Sequence, residues 1–339
     1  MDIKEECIAK LKSFINDNEK FLIIGHMSPD GDAVGSCLAL YHLLIELNKS
    51  VRVVVPNVFP SFLRWLPNAN LIMQYDFHKA QVDRMVAESE VIFCLDFNAL
   101  KRIGDMCDVV AAATAKKVMI DHHLDPERCC DITISCAKMC STAELIYHII
   151  LELGYGAMIN KTVATCIYTG MMTDTGGFTY NSNRRDIYTT IGNLLTTGID
   201  KDEIYRKVNY SYSMSRMQLE GYVLNQKLKV WPMLNASLIY LTSDELKQYN
   251  YISGDSEGFV NKPLQIQGIR LSCFLREDKD IIKVSLRSIG DFPCNEMAAQ
   301  FFNGGGHKNA SGGEYPGTMD EAIAQYEKAI NAFKKQLMN

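Results

Sequence analysis

Three apolar runs in this chain each end on a residue able to bind a metal ion. FLIIG (21–25) runs into His26, VIFCL (91–95) into Asp96, and KVMI (117–120) into Asp121-His122-His123. Short apolar runs without alternation fit strands buried on both faces, as in a parallel sheet. VRVVV (51–55), stopped by Pro56, is a fourth such run. AVGSCLALYHLLIEL (33–47), STAELIYHIILELG (141–154) and NKTVATCIYTGMMTDTGG (160–177) read as helices. The second opens on a cap-like Ser141 and the third stops at Gly176-Gly177. The alternation predicts an α/β fold, a mainly parallel sheet flanked by helices.

Residues 184–230 read as helical throughout, and from about 232 the texture changes. LNASLIYLT, IRLSCFLRE and IIKVSLRS are strand-like, the last two flanking the turn Glu277-Asp278-Lys279-Asp280. A helical stretch (295–302), a glycine-rich loop and a closing helix follow. The expected organisation is a metal-binding catalytic domain (1–190), a helical connector (191–231) and a smaller α/β substrate-binding domain (232–339).

In an open parallel sheet the strand C-termini share one edge, where ligands bind. His26, Asp30, Asp32, Asp96, Asp121, His122 and His123 should therefore converge, although far apart in sequence. Asp174, at the end of the 160–175 helix, adds a further acid. Asp30 and Asp32 are two apart, and an extended stretch would point both to one side. Facing carboxylates cannot all stay ionised without a cation between them. Oxygen ligands with some imidazole favour Mn²⁺ or Mg²⁺ over a structural zinc. Two such ions about 3.5–4 Å apart, sharing a carboxylate, are a common engine of phosphoester hydrolysis, and Asp96 is the candidate bridge. The blander readings are an N-cap or turn role for each lone Asp, Asp32 capping the helix at Ala33 among them. For His42, His78 and His148, surface or core polarity suffices. Four acid-bearing segments on one predicted sheet edge argue for a site.

The second cluster is GGGHKNASGG (304–313). Successive glycines let backbone N–H groups approach an anion, and His307, Lys308 and Asn309 add donors. The spacing fits neither a Walker loop nor a dinucleotide fingerprint. A flexible glycine loop is the alternative. Arg287, at the end of a strand-like run, could clamp a phosphate bidentately.

Composition narrows the function. The chain has 339 residues, 47% apolar and 22% charged, with net charge −5. An acidic chain is ill suited to coat long nucleic acid, which takes many Lys and Arg contacts; a short anionic substrate needs only a local basic patch. The 11 cysteines are scattered and odd in number, which suggests reduced thiols in a cytoplasmic protein. The N-terminal stretch is no secretory signal, and no run of 18 apolar residues predicts a membrane span.

HMSPDGDAVGS, LDFN, IDHH and TDTGGF resemble the ordered motifs of the DHH phosphoesterase superfamily, and GGGHKNASGG resembles the signature of the DHH-associated C-terminal domain. The combination is most similar to the bifunctional oligoribonuclease and pAp phosphatase group, where pAp is 3′,5′-bisphosphorylated adenosine. This resemblance implies that His26 and Asp30 hold one metal, Asp32, His122 and Asp174 the other, and that Asp96 bridges them. It implies that His123 faces the scissile phosphate and that Asp121 orients a neighbouring His. Arg102, Arg287, His307, Asn309 and the Gly304-Gly305-Gly306 backbone would contact substrate. The implied activity is release of 5′-mononucleotides from very short RNA or DNA, pApA included, and conversion of pAp to AMP. Two divalent ions, Mn²⁺ before Mg²⁺, would serve it, without membrane or long nucleic acid; a homodimer stays open. The rivals are a RecJ-like single-strand exonuclease, a membrane cyclic-dinucleotide phosphodiesterase, a polyphosphate or pyrophosphate hydrolase and, from another class, a non-catalytic nucleotide-binding module.

Overall fold

The computed structural model describes residues 4–338 and separates into two compact units, meeting at Ser211 and Tyr212. The first opens with α1 (Glu5–Asp17), β1 (Lys20–Ile24), α2 (Gly31–Glu46), β2 (Ser50–Val55), β3 (Met73–Gln74), α3 (Tyr75–Glu88) and β4 (Val91–Leu95). It continues with α4 (Cys107–Ala112), β5 (Lys116–Asp121), β6 (Ile132–Ser135), α5 (Thr142–Glu152), α6 (Lys161–Asp174), α7 (Arg185–Thr196) and α8 (Lys201–Asn209). Six strands form one sheet in the order β3-β2-β1-β4-β5-β6, with every pairing parallel.

The uninterrupted apolar runs hide a period of two. Phe21, Ile23, Val53, Phe93 and Ile120 face a core shared with α1, α2, α5 and α6. Leu22, Ile24, Ile92, Cys94 and Met119 face a second core with α3 and α4. Helices on both faces require both sets to be apolar. The chain leaves β1 toward β2 on one side and returns to β4 on the other. Such a reversal of strand order opens a crevice beyond the strand C-termini, here those of β1 and β4.

Glycine lets the helices above that crevice close up. A Cβ at Gly35 of α2 would lie 2.7 Å from the Cys166 carbonyl oxygen and 2.9 Å from the Gly170 nitrogen, both in α6. One at Gly170 would lie 2.5 Å from the Ala143 Cβ of α5.

The second unit holds α9 (Met214–Gln226), β7 (Lys229–Trp231), β8 (Ala236–Leu241), α10 (Ser243–Gln248), β9 (Leu271–Asp278) and β10 (Ile281–Ser288). It ends with α11 (Cys294–Phe301), β11 (Gly305–His307), β12 (Ala310–Tyr315), α12 (Met319–Ala332) and α13 (Lys334–Met338). Its sheet runs β11-β12-β10-β9-β8-β7, antiparallel except between β8 and β9. Leu271, Val284 and Leu286 face α11 and α12, while Ile239 and Phe274 pack with Leu219 and Val223 of α9.

The segment 191–231, expected as a helical connector, carries the end of α7, then α8 and α9, but closes on strand β7, and its helices are shared between the cores. Leu194, Ile204 and Val208 join the first core, and Leu219 and Val223 join one of the second unit. Each helix carries its own apolar stripe, so each is drawn into the nearest core. The sequence does not announce β3, β6 or β7, because they are two, four and three residues long, too short for a period to stand out.

Gly35→Ala should cost about 1–3 kcal/mol through overpacking, because the obstacle is backbone. Urea denaturation should show a lower midpoint; an unchanged midpoint would mean that α2 and α6 have room to part.

Candidate metal centre

The loops leaving β1, β4 and β5 deliver their ligand-type residues to one place. His26 Nε2 lies 3.4 Å from Asp96 Oδ2 and 3.9 Å from Asp30 Oδ1. His122 Nε2 lies 3.7 Å from Asp96 Oδ1, 3.8 Å from Asp32 Oδ2 and 3.5 Å from Asp174 Oδ2. Asp96 therefore presents one oxygen to each of two histidine–carboxylate groups, His26 with Asp30 and His122 with Asp32 and Asp174. Either group could hold a cation. Asp32, Asp96, Asp121 and His122 are buried. The side chains of Asp30, Asp174 and His123 keep 46%, 27% and 20% of their exposure, which leaves an opening to solvent.

Backbone groups set the imidazoles. His26 Nδ1 is 2.9 Å from the Met27 carbonyl, and His122 Nδ1 is 3.3 Å from the Met139 carbonyl. A carbonyl only accepts, so Nδ1 carries the proton in each ring, and the neutral ring turns its Nε2 lone pair toward carboxylates. A lone pair aimed at carboxylates repels them unless a proton or a cation lies between. The residues present thus fit divalent cations with oxygen and imidazole ligands.

Electrostatics carries the same tension. Burial, reinforced by Asp32, Asp30, Asp121 and Asp174, pushes the Asp96 carboxyl well above the usual range. Burial also raises Asp32, against the pull of His122. Burial lowers His26, helped by the charge of Arg102, with Asp30 opposing. It disfavours charge on His122 as well, but Asp174, Asp32 and Asp121 outweigh it and raise that pKa.

Asp121 stands apart from this pattern. Its Oδ1 lies 2.7 Å from His123 Nδ1, and its buried Oδ2 has no hydrogen-bond partner among the described residues. Burial opposes its charge, yet the bond and charge of His123 hold the carboxyl below its usual range.

Asp30 and Asp32 differ from the extended pair expected. Asp30 is the N-cap of α2, accepting from the Asp32 and Ala33 N–H groups, and Asp32 sits inside the helix. The cap role expected as the alternative for Asp32 thus belongs to Asp30. Asp32 instead accepts N–H groups from Thr142 and Ala143 at the start of α5. Thr142 also donates its hydroxyl to Asp96. Ser141 is the helix cap its sequence predicts, whereas the role of Thr142 beside it has no local signal, since its partner lies 46 residues away.

Asp96 has φ +64°, in the left-handed region. Asp tolerates that region better than most residues, and its N–H donates to the Ile120 carbonyl of β5. Arg102, exposed in the short helical turn after β4, offers its carbonyl to the Met27 N–H. His42 and His148 lie on α2 and α5 away from the cluster; His42 Nε2 is 3.2 Å from the Pro67 carbonyl. All 11 cysteines are free thiols.

In the second unit the expected glycine loop is a hairpin, β11 with β12. A Cβ at Gly304 would lie 2.0 Å from the Gly312 carbonyl oxygen, and one at Gly313 lies 2.4 Å from that of Phe302. Gly306 has φ +136°, open only to glycine. These glycines answer to backbone crowding. Gly305 alone is exposed with open space beside it. Ala310 pairs with His307 on one side and Arg287 on the other, so those two side chains share a sheet face. The Asn309 amide donates to Ser288 Oγ and the Gly290 carbonyl, which fixes the 288–292 turn.

Removing charge from Asp96 should relieve the metal-stripped fold. A carboxyl with a raised folded pKa loses stability as pH climbs from the unfolded value through the folded one. Asp96→Asn, which suits the same backbone, should melt higher than the parent at pH 8 in chelator, the gap narrowing toward pH 4. A lower melting temperature at pH 8 would contradict this.

Comparisons with known proteins identify the family and the fold. Residues 20–171 match the model of the DHH family, N-terminal domain, and residues 235–338 that of the DHHA1 domain. A protein of Thermus thermophilus named bifunctional oligoribonuclease and PAP phosphatase NrnA is 28% identical over 93% of this chain and 89% of its own. The crystal structure of an exopolyphosphatase-related protein from Bacteroides fragilis is 54% identical, with TM-score 0.95, and covers 100% of this chain and 99% of that one. RecJ of Thermus thermophilus, solved in complex with Mn²⁺, shares the fold at 12% identity and TM-score 0.57, over 99% of this chain and 55% of RecJ. No helix among the described residues is long and apolar enough to cross a membrane. Strand order, clustered carboxylates and matched domains together place the chain in the DHH phosphoesterase family, with a DHHA1 domain as its second unit.

Proposed function

We propose that this chain is a two-metal hydrolase that releases 5′-mononucleotides from very short oligonucleotides, pApA included, and dephosphorylates pAp to AMP. The observation that carries the proposal is Asp96, whose two oxygens face two separate histidine–carboxylate groups. His26 and Asp30 would hold one ion, Asp32, His122 and Asp174 the other, and Asp96 would be shared. Bound Mn²⁺, or Mg²⁺, would acidify a water and offset the charge that develops on the phosphoryl oxygens.

The remaining chemistry belongs to this chain's side chains. Asp121 takes the Nδ1 proton of His123 in a hydrogen bond and fixes that ring. His123 would then turn its Nε2 edge toward a phosphate oxygen, with Asp121 fixing the ring. Arg102, whose charge reaches His26, would be a further phosphate contact. In the second unit, Arg287 and His307 share a face and are candidate anion contacts; Asn309 and the glycines give shape to the hairpin that carries His307. The naming of relatives as oligoribonuclease and PAP phosphatase supports the substrate class. A second reading, polyphosphate hydrolysis, draws on the Bacteroides fragilis protein.

One panel separates the readings. Purified protein with Mn²⁺ is given pAp, pApA, 5-mer RNA, 24-mer RNA and polyphosphate, and products are resolved by chromatography. Mononucleotides from the short RNAs and AMP from pAp are expected. Rapid cleavage of the 24-mer or of polyphosphate alone would overturn the proposal. Asp96→Ala should abolish turnover, whereas a non-catalytic binder would be little changed. Arg287→Ala should raise KM more than it lowers kcat if it contributes binding without discriminating the transition state.

A further inference from the structure

The first turn of α5 reaches into the cluster without supplying any acid or imidazole. Thr142 donates its Oγ1–H to Asp96 Oδ1 at 2.7 Å and its N–H to Asp32 Oδ2 at 2.6 Å. Ala143 donates its N–H to Asp32 Oδ1 at 2.9 Å. The leading N–H groups of a helix lack intrahelical partners and carry its positive end, so they suit a buried carboxylate. The helix does not need the threonine hydroxyl for its own capping, because Ser141 Oγ accepts the Glu144 N–H. The hydroxyl is left to serve Asp96.

The turn is itself clamped. Buried Glu144 accepts the Cys140 N–H at 2.6 Å, and Arg184 bonds both Glu144 and the Lys138 carbonyl. Met139, whose carbonyl faces His122 Nδ1, lies within the same clamp. Thr142 is fully buried, and the bond to Asp96 holds its hydroxyl in one orientation.

We propose that Thr142 is a positioning residue whose hydroxyl locks the carboxylate plane of Asp96, so that one side chain serves both cation sites at once. The inference rests on the two-metal reading above. It is tested on metal-stripped full-length protein, comparing the parent with Thr142→Val, nearly isosteric without the hydroxyl, and Thr142→Ser, which keeps it. Calorimetric titration with Mn²⁺ should show two ions in the parent. Thr142→Val should weaken one by about 10–100-fold, the usual cost of losing a group that orients a ligand. Thr142→Ser should restore parental binding, which a packing role for the γ-methyl would not. Thr142→Ala gives the same comparison should valine disturb the fold. Two ions at parental affinity in a folded Thr142→Val or Thr142→Ala protein would overturn the inference. A parent that binds no Mn²⁺ would instead defeat the two-metal reading beneath it.

Discussion

Everything at this sheet edge depends on the carboxylate of Asp96. It is buried, it sits between two histidine–carboxylate groups, and its backbone occupies a region that costs most residues about 1–3 kcal/mol. A surface aspartate would meet none of these demands. The left-handed turn sends the chain away from the end of β4 while the side chain stays in the crevice. The N–H bond to Ile120 ties that turn to β5, whose end delivers Asp121 and the two histidines. One residue in the left-handed region thus keeps two strand ends together as chemical partners.

The helical layer completes the arrangement by proximity. Gly35 and Gly170 allow α2, α5 and α6 to pack closer than any larger residue would permit. That closeness brings the N-terminus of α5 onto Asp32, a residue inside α2. Close packing and charge placement are therefore the same feature. The Gly170 Cα is as much part of the Asp32 environment as any donor, since a Cβ there would also lie 2.9 Å from Asp32 Oδ1.

Much of this was legible in the chain. The apolar runs located β1, β2, β4 and β5, and the acids and imidazoles at their ends predicted a shared edge, because parallel strands leave little choice of where their C-termini lie. Asp174 could be added because the helix that carries it has a clear stop. The exchange of roles between Asp30 and Asp32 was not legible. Both are good caps, and only the position of α5 decides that Asp32 is spent elsewhere. Thr142 was hidden for the same reason. In the second unit, the glycine run suggested an anion cradle, since crowding by Phe302 and Gly312 is a tertiary fact that no local spacing records. Short strands such as β3 fall below the length at which periodicity can be read.

That hairpin bears on how such chains are recognised. Gly304 and Gly313 are hemmed in by neighbouring backbone, and Gly306 by backbone and by its φ. A descendant that lost its catalytic acids would still fold badly with alanine at these places, and so would keep them. The glycine signature is a mark of architecture and would persist in an inactive relative. Whether a chain with this outline still performs chemistry is written instead at the ends of β1, β4 and β5, where folding alone would gladly surrender the buried charge.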